Sequence, residues 1–385
     1  IDGIEFVFQN APGSEAPAEL TFYLPHARAF NGAEVTSHNM HKLYTLRGAK
    51  VRDALRWSNY IDESIELFCE AEVYLASHHW PIWGNERVVE FLEVQRDTYK
   101  YLHDQTVRLF NQGLTPGEIA EQLTLPASLQ QTFHNRGYYG TVRHNSRAVY
   151  QNYLGWYDGN PANLNPHPPS VAGKKYVELA GGAEALIDKA RQAFDAADYR
   201  WSAELLNHLV LSDPGNADAR SLLAASYDQL GYQSESGPWR DVYLTAAREL
   251  RHGPPETGLN IALMEDVLRR TPVRRFFDSM AARLNGPDAE GVELSVNFVF
   301  TDLGETYLLD IGNAVLHHRP SNPDAEANAT LRLSHDMFIR MLTGQAGLKD
   351  LLISDEIELE GSRLDLLKFF SLFDKPEGRF NIVTP

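Results

Sequence analysis

The chain of 385 residues has a single cysteine, Cys69. That excludes an internal disulfide framework and any thiolate-rich zinc module. It is also poor in positive charge, with 35 Lys and Arg against 52 Asp and Glu and a formal net charge of −17. A diffuse nucleic-acid-binding role needs a basic surface and is therefore excluded. No stretch approaches the ~18 unbroken apolar residues of a membrane-spanning helix. The opening Ile1-Asp2-Gly3 has no initiator Met, no basic n-region and no cleavage pattern. Ile4, Phe6 and Phe8 already alternate as one face of a strand. The expectation is that a segment N-terminal to this start has been removed or lies on another chain.

Aromatic residues, by contrast, are abundant: 17 Tyr, 18 Phe and 6 Trp. With 43% hydrophobic content this excludes a solvated coil for most of the chain and supports roughly two or three domains. Three blocks differ in texture. Residues 1 to about 100 alternate short strands with helices, which favours an α/β layer. Leu20 to Leu24 reads as a strand closed by Pro25, and Val51 to Tyr60 has helical spacing. From about 101 to 250 the pattern is almost wholly helical. Thr115-Pro116-Gly117-Glu118 is a helix start with a capping box, and Asp158 to Pro169 is a polar, Pro-rich connection. Between Ala185 and Arg251, Asp213-Pro214-Gly215-Asn216 separates paired amphipathic helices in a manner resembling the tetratricopeptide unit. About one and a half such units are present, fewer than the three a free-standing solenoid needs. After His252-Gly253-Pro254-Pro255 come helices near Asn260–Leu268 and Val273–Leu284. A hairpin follows, with strands Leu294–Phe300 and Thr306–Ile311, then strand candidates at Asn313–His317 and Ala329–Leu333. A mostly helical tail from Ser334 to Phe373, with a strand near Ile357–Leu359, completes a small α+β domain.

Nine of the fourteen histidines fall in the first 167 residues, so the search for chemistry starts there. In Asn10 to Glu19, two prolines and a glycine fix a loop directly after a strand, a way to hold a carboxylate rigidly; a turn with solvated glutamates reads equally from spacing. In Glu34-Val35-Thr36-Ser37-His38-Asn39-Met40-His41, histidines at +4 and +7 would line one helical face with Glu34 and bind a metal. Alternatively Glu34 alone is a ligand, or the segment is a metal-free helical turn. Arg47-Gly48 offers a guanidinium to a planar anion, and is otherwise ordinary surface. Ser77-His78-His79-Trp80-Pro81-Ile82-Trp83 places paired histidines at a strand end. Glu15, Glu34 and His79 are hard and borderline donors that suit zinc or manganese.

These strings carry a resemblance. Asn10 to Glu19, Ala33-Glu34 through Arg47-Gly48 and Arg52-Asp53, Ser77 to Asn85, Arg136 to Gly140 with Arg143-His144-Asn145, and Tyr153 to Pro161 resemble the C-terminal part of zinc-dependent alkyl sulfatases of the SDS hydrolase type, in the metallo-β-lactamase superfamily. The resemblance covers essentially the whole chain. It implies three domains: 1–102, the C-terminal part of an αββα hydrolase domain; 103–252, a helical dimerisation domain with tetratricopeptide-like hairpins; and 256–385, an α+β domain like sterol carrier protein 2. It implies hydrolysis of alkyl sulfate esters to alcohol and sulfate at two zinc ions, detergent degradation, a homodimer, and a periplasmic or secreted location.

The family's His-x-His-x-Asp-His signature is absent from these 385 residues. Four ligands would then come from an N-terminal segment or another chain, and this chain alone should be inactive. By the match, Glu15 completes one metal's set, Glu34 bridges the two, and His79 binds the second. Asn10, Arg47 and His144 would hold the sulfate, with His144 also a candidate general acid for leaving-group departure; otherwise His144 packs helices at a domain junction. The alternative reading is a non-catalytic scaffold that binds lipid or alkyl chains. The sequence leaves open C–O against S–O cleavage and the preference for primary or secondary esters.

Overall fold

The computed structural model describes residues 1–258, 261–322, 326–346, 356–375 and 378–385. They form two compact units: Ile1–Gly253 with Asn381–Pro385, and Pro254–Phe380.

The first unit opens with a five-stranded sheet in the order β1 (Val7–Asn10), β2 (Leu20–Leu24), β3 (Ala29–Asn31), β4 (Val73–Leu75) and β5 (Ile82–Trp83). β3 and β4 run parallel, joined by the helix α1 (Ala54–Leu67), while the other pairings are antiparallel. Pro25 ends β2 as expected. The expected strand over Ile4–Phe8 starts later, at Val7, although Phe6 still stacks on Phe8. Likewise the helix expected from Val51 begins at Ala54, because the Asp53 carboxylate accepts from the amides of Leu55 and Arg56 and sets the N-cap there. α1 and the long helix α2 (Asn85–Phe110) bury Trp57, Ile61, Phe91 and Tyr99 in a core with Phe30 and Tyr74.

The same unit continues as helices α3 (Pro116–Gln122), α4 (Ala127–Gln130), α5 (Val142–Leu154) and α6 (Pro169–Ala180). Two hairpins follow: α7 (Ala183–Asp195) with α8 (Tyr199–Ser212), then α9 (Ala217–Gln233) with α10 (Gly237–His252). The capping box at Thr115 and Glu118 is formed in both directions. Leu206, Leu209, Leu223, Ala247 and Leu250 share one core, which Val383 of the returning tail joins.

The second unit has a sheet ordered β10 (Ile357–Gly361), β9 (Ala329–Leu333), β6 (Leu294–Phe300), β7 (Glu305–Gly312), β8 (Val315–Pro320), with β6 and β9 parallel. Helices Val273–Ala281, His335–Leu342 and Arg363–Ser371 complete it around Phe277, Phe298, Phe300 and Phe369. The helix expected at Asn260–Leu268 is a 3-10 turn, Ile261–Met264, followed by Glu265–Arg269, and Asn260 lies outside the described residues. So does the part of the expected tail helix at 347–355. A cavity of about 450 Å³ opens among Phe276, Phe298, Phe338, Met341, Phe370 and Arg283.

Candidate metal centre

The chain from Gly32 to Leu43 passes through the first unit's core without forming a helix. The helical face suggested by histidines at +4 and +7 from Glu34 is therefore not what assembles this segment. Buried aromatics fix it instead, each using its polar atom on the loop's backbone. Trp57 Nε1 donates to the Val35 carbonyl at 2.6 Å, the Tyr74 hydroxyl donates to the Thr36 carbonyl at 2.8 Å, and the His41 amide donates to the Tyr99 hydroxyl at 3.0 Å. From α5, Asn145 accepts from the Leu43 amide and donates to the His41 carbonyl, both at 2.9 Å. Gly140 donates its amide to the Met40 carbonyl at 2.8 Å, and a Cβ on it would fall 2.5 Å from the His41 carbonyl oxygen. Only glycine fits so close an approach.

The β1–β2 loop supplies the opposing carboxylates. Ala11 donates to the Glu19 carbonyl at 2.8 Å, Gly13 donates to Ala16 at 2.9 Å with φ +77°, and the Ser14 hydroxyl donates to the Ala11 carbonyl at 2.7 Å. This holds Glu15 toward Glu34. Donor atoms of Glu15, Glu34 and His41 all lie within 4.8 Å of one another. The two Glu34 oxygens face different rings, Oε2 lying 3.4 Å from His41 Nε2 and Oε1 3.3 Å from His78 Nε2. The hydrogen bond from His41 leads the effects that take the Glu34 carboxyl down to about 2. Burial, then the charge of Glu15, pushes the Glu19 carboxyl above its ordinary value. Among the described residues, Arg52 is the one guanidinium that threads the cluster. It donates to Glu15 through Nη2, to the Glu15 carbonyl through Nε at 2.6 Å, and to the Lys42 carbonyl at 2.7 Å.

Three carboxylates drawn together against so little positive charge favour a bound cation. Oxygen and imidazole donors without thiolate suit zinc. The residues present fit such an ion.

The other sequence candidates fall in different places. His79 stands outside the Glu15–Glu34–His41 group. Its φ is +71°, its Nε2 lies 3.5 Å from Asn39 Nδ2, and its ring meets those of His38 and Trp80. Asn10 ends β1 with its side chain exposed, and Arg47 is exposed on a turn before Gly48 (φ +94°). Among the described residues, no hydrogen bond or ion pair joins either of them to the carboxylates. His144 is buried at the start of α5. Its Nε2–H donates to the Tyr44 carbonyl at 2.5 Å and its Nδ1 accepts from Trp239 Nε1 at 3.1 Å. Burial lowers its pKa. Both ring nitrogens are thus occupied in one neutral tautomer, which ties the irregular segment at Tyr44 to α5 and α10. The residue that spacing alone left without a role is Arg52; His78 was singled out only together with His79. Arg52 lay inside a recognised string, and His78 was one of an adjacent pair whose members spacing does not separate.

Two family models match the chain: alkyl sulfatase dimerisation over residues 115–253 and alkyl sulfatase C-terminal over 262–385. The class is therefore that of the alkyl sulfatases. A linear primary-alkylsulfatase of Pseudomonas sp. is 44% identical over the whole chain. Another, from Pseudomonas sp. (strain ATCC 19151), is 34% identical over 97% of the chain and 72% of its own length. The solved stereoselective inverting sec-alkylsulfatase Pisa1 from Pseudomonas sp. superposes over 100% of this chain with TM-score 0.94 and 41% identity. The chain belongs to the alkylsulfatase family. It spans 57% of the first of these relatives and 61% of the solved chain.

Proposed function

We propose that the chain works in hydrolysis of alkyl sulfate esters to alcohol and inorganic sulfate, with two zinc ions held partly by its own carboxylates. The observation that carries this is the convergence of Glu15, Glu34 and His41 within 4.8 Å on loops tied into the core. Membership of a family whose relatives bear alkylsulfatase names supports the substrate class. Zinc bound there would supply Lewis acidity and a water able to attack at neutral pH. Glu34 has two oxygens turned to different sides, as a bridging ligand requires. Glu15 would complete one ligand set, while Arg52 holds its carboxylate and would offset charge. His79, one residue from the imidazole that meets Glu34, is the proposed ligand of the second ion, and the His-x-His-x-Asp-His ligands would come from an N-terminal segment or chain. Asn10 and Arg47 are proposed to hold sulfate.

The finer architecture is part of the same proposal. Residues 1–102 would complete an αββα metallo-β-lactamase domain, 103–252 a homodimerising helical domain, and 256–385 a domain like sterol carrier protein 2. The cavity of about 450 Å³ among phenylalanines supports alkyl-chain binding in the last of these. A periplasmic or secreted location is proposed on family likeness. Among the described residues no helix is long and apolar enough to cross a membrane.

The test joins this chain to the segment bearing the missing signature and measures zinc content with sulfate release from dodecyl sulfate. Glu34→Ala is expected to abolish both zinc retention and turnover. If it alters only alkyl-chain binding, the scaffold reading replaces the enzymatic one. If the zinc-loaded complex cleaves another ester and releases no sulfate, the substrate class is wrong.

A further inference from the structure

Two of the loops that meet at the carboxylates leave the same end of one strand pair. β3 and β4 are parallel neighbours, with Asn31 opposite Leu75. Glu34 follows β3 and His78 follows β4, and their side chains approach to 3.3 Å. The crevice outside the carboxyl ends of parallel strands is the usual place for a site in such a sheet. Two backbone hydrogen bonds extend the pairing past the strands. The Gly32 amide donates to the Leu75 carbonyl at 2.8 Å, and the Ser77 amide donates to the Ala33 carbonyl at 2.9 Å. The second tie falls one residue before Glu34 on one segment and one residue before His78 on the other.

At Ala33 the backbone takes φ +48°, a left-handed conformation that crowds an alanine Cβ against the carbonyl oxygen. The Asn31 side chain compensates. Its Oδ1 accepts from the Ala33 amide at 2.8 Å, a bond to the backbone two residues on that closes the turn locally. Gly32 lies inside that turn, where a Cβ would fall 2.1 Å from Thr36 Oγ1. Downstream of Glu34, the Val35 and Thr36 carbonyls are held by Trp57 and Tyr74. Just upstream of it, among the described residues, Asn31 is the side chain that bonds the backbone.

We propose that Asn31 is a positioning residue for the metal centre: its side-chain oxygen holds Ala33 in the left-handed turn that brings Glu34 from the end of β3 to the loops bearing Glu15 and His78. This rests on the zinc site proposed for Glu34. The backbone one residue before Glu34 sets the direction in which its side chain leaves. The tie from Ala33 to Ser77 passes the same constraint to the His78–His79 loop. Without the Asn31 acceptor, the Ala33 amide loses its partner and the strained conformation loses its compensation. Glu34 then samples directions in which its two oxygens no longer face different sides. Groups that orient a metal ligand from behind in this way are worth about 10–100-fold in metal affinity.

The experiment takes this chain joined to the segment bearing the His-x-His-x-Asp-His signature and reads zinc affinity by competition with a chromophoric chelator. Asn31→Ala and Asn31→Leu, which remove the acceptor at two side-chain sizes, should each weaken zinc binding by about tenfold or more. Asn31→Ser keeps an uncharged acceptor for the amide two residues on, and should stay within about threefold of wild type. Adding Ala33→Gly to Asn31→Ala should recover about fivefold of the loss, because glycine takes positive φ without strain. The metal-free melting temperature should fall by only a few degrees in the single variants. Wild-type affinity in a folded Asn31→Ala or Asn31→Leu variant overturns the proposal, and so does a loss that neither Asn31→Ser nor the added Ala33→Gly restores. A wild-type complex that binds no zinc overturns the zinc site itself, and the proposal with it.

Discussion

Arg52 shows how one side chain decides what a site can be. Its guanidinium ties the Glu15 backbone, the Glu15 carboxylate and the Lys42 carbonyl together, so the β1–β2 loop and the Gly32–Leu43 segment meet at a fixed distance. Buried imidazoles around this region give a pH signature. His134 packs its ring edge-on to Phe91, with centroids 4.8 Å apart, and near His38 at 5.8 Å. Burial first, then His38, lowers its pKa to about 4 from an ordinary 6.5. Above 6.5 both folded and unfolded states are neutral and the residue contributes no pH dependence. As pH falls from 6.5 toward 4 the unfolded chain takes up a proton that the folded one refuses, so stability declines across that window. His134→Phe should shrink the drop in melting temperature between pH 7 and pH 4.5. An undiminished drop would show that His134 is not among its sources.

The helix α3 illustrates what a sequence announces and what it hides. Thr115 accepts from the Glu118 amide at 3.3 Å while Glu118 accepts from the Thr115 amide at 2.8 Å, two orphan donors satisfied by a four-residue pattern. Thr115→Ala should therefore cost about 1 kcal/mol in denaturant unfolding of the first unit; a loss below about 0.3 kcal/mol would mean solvent serves the cap equally well. Such signals depend only on neighbours in sequence, which is why this helix start, the stop of β2 at Pro25 and the β6–β7 hairpin were all legible. Glu34 with His38 and His41 was not. A spacing of four and seven reads as one helical face, but three distant aromatics and Asn145 hold that segment as irregular loop. Glu34 and His41 still meet, while His38 turns away, its Nε2–H donating to the Trp80 carbonyl at 2.8 Å. Within the His78–His79 pair, spacing does not say which ring meets Glu34, for a related reason. Adjacent residues point different ways, and the left-handed backbone at His79 decides which one faces Glu34. Long-range contacts carry no mark in spacing. For that reason the periodicity misread the Glu34–His41 segment as a helical face.

The last residues of the chain bind back onto the first unit, although the chain reaches them only after the second. Glu249 on α10 is buried, and its carboxylate accepts from the amides of Ile382 and Val383, each at 3.0 Å. Val383 itself is 7% exposed, packed in the cluster that contains Leu250 and Leu209. A buried carboxylate without donors is costly, and here backbone amides from a segment more than 130 positions away provide them. Removing residues 381–385 should strip both the donors and the valine, destabilising the first unit by about 2–3 kcal/mol. Hydrogen exchange offers the readout: amides of α9 and α10 should exchange faster, while those of β6 and β7 in the second unit keep their protection. Glu249→Gln, which retains one acceptor and removes the charge, should accelerate the same helices less. Unaltered exchange in α10 after the truncation would mean that water replaces the tail at no cost, and that the returning segment rests on the first unit without holding it.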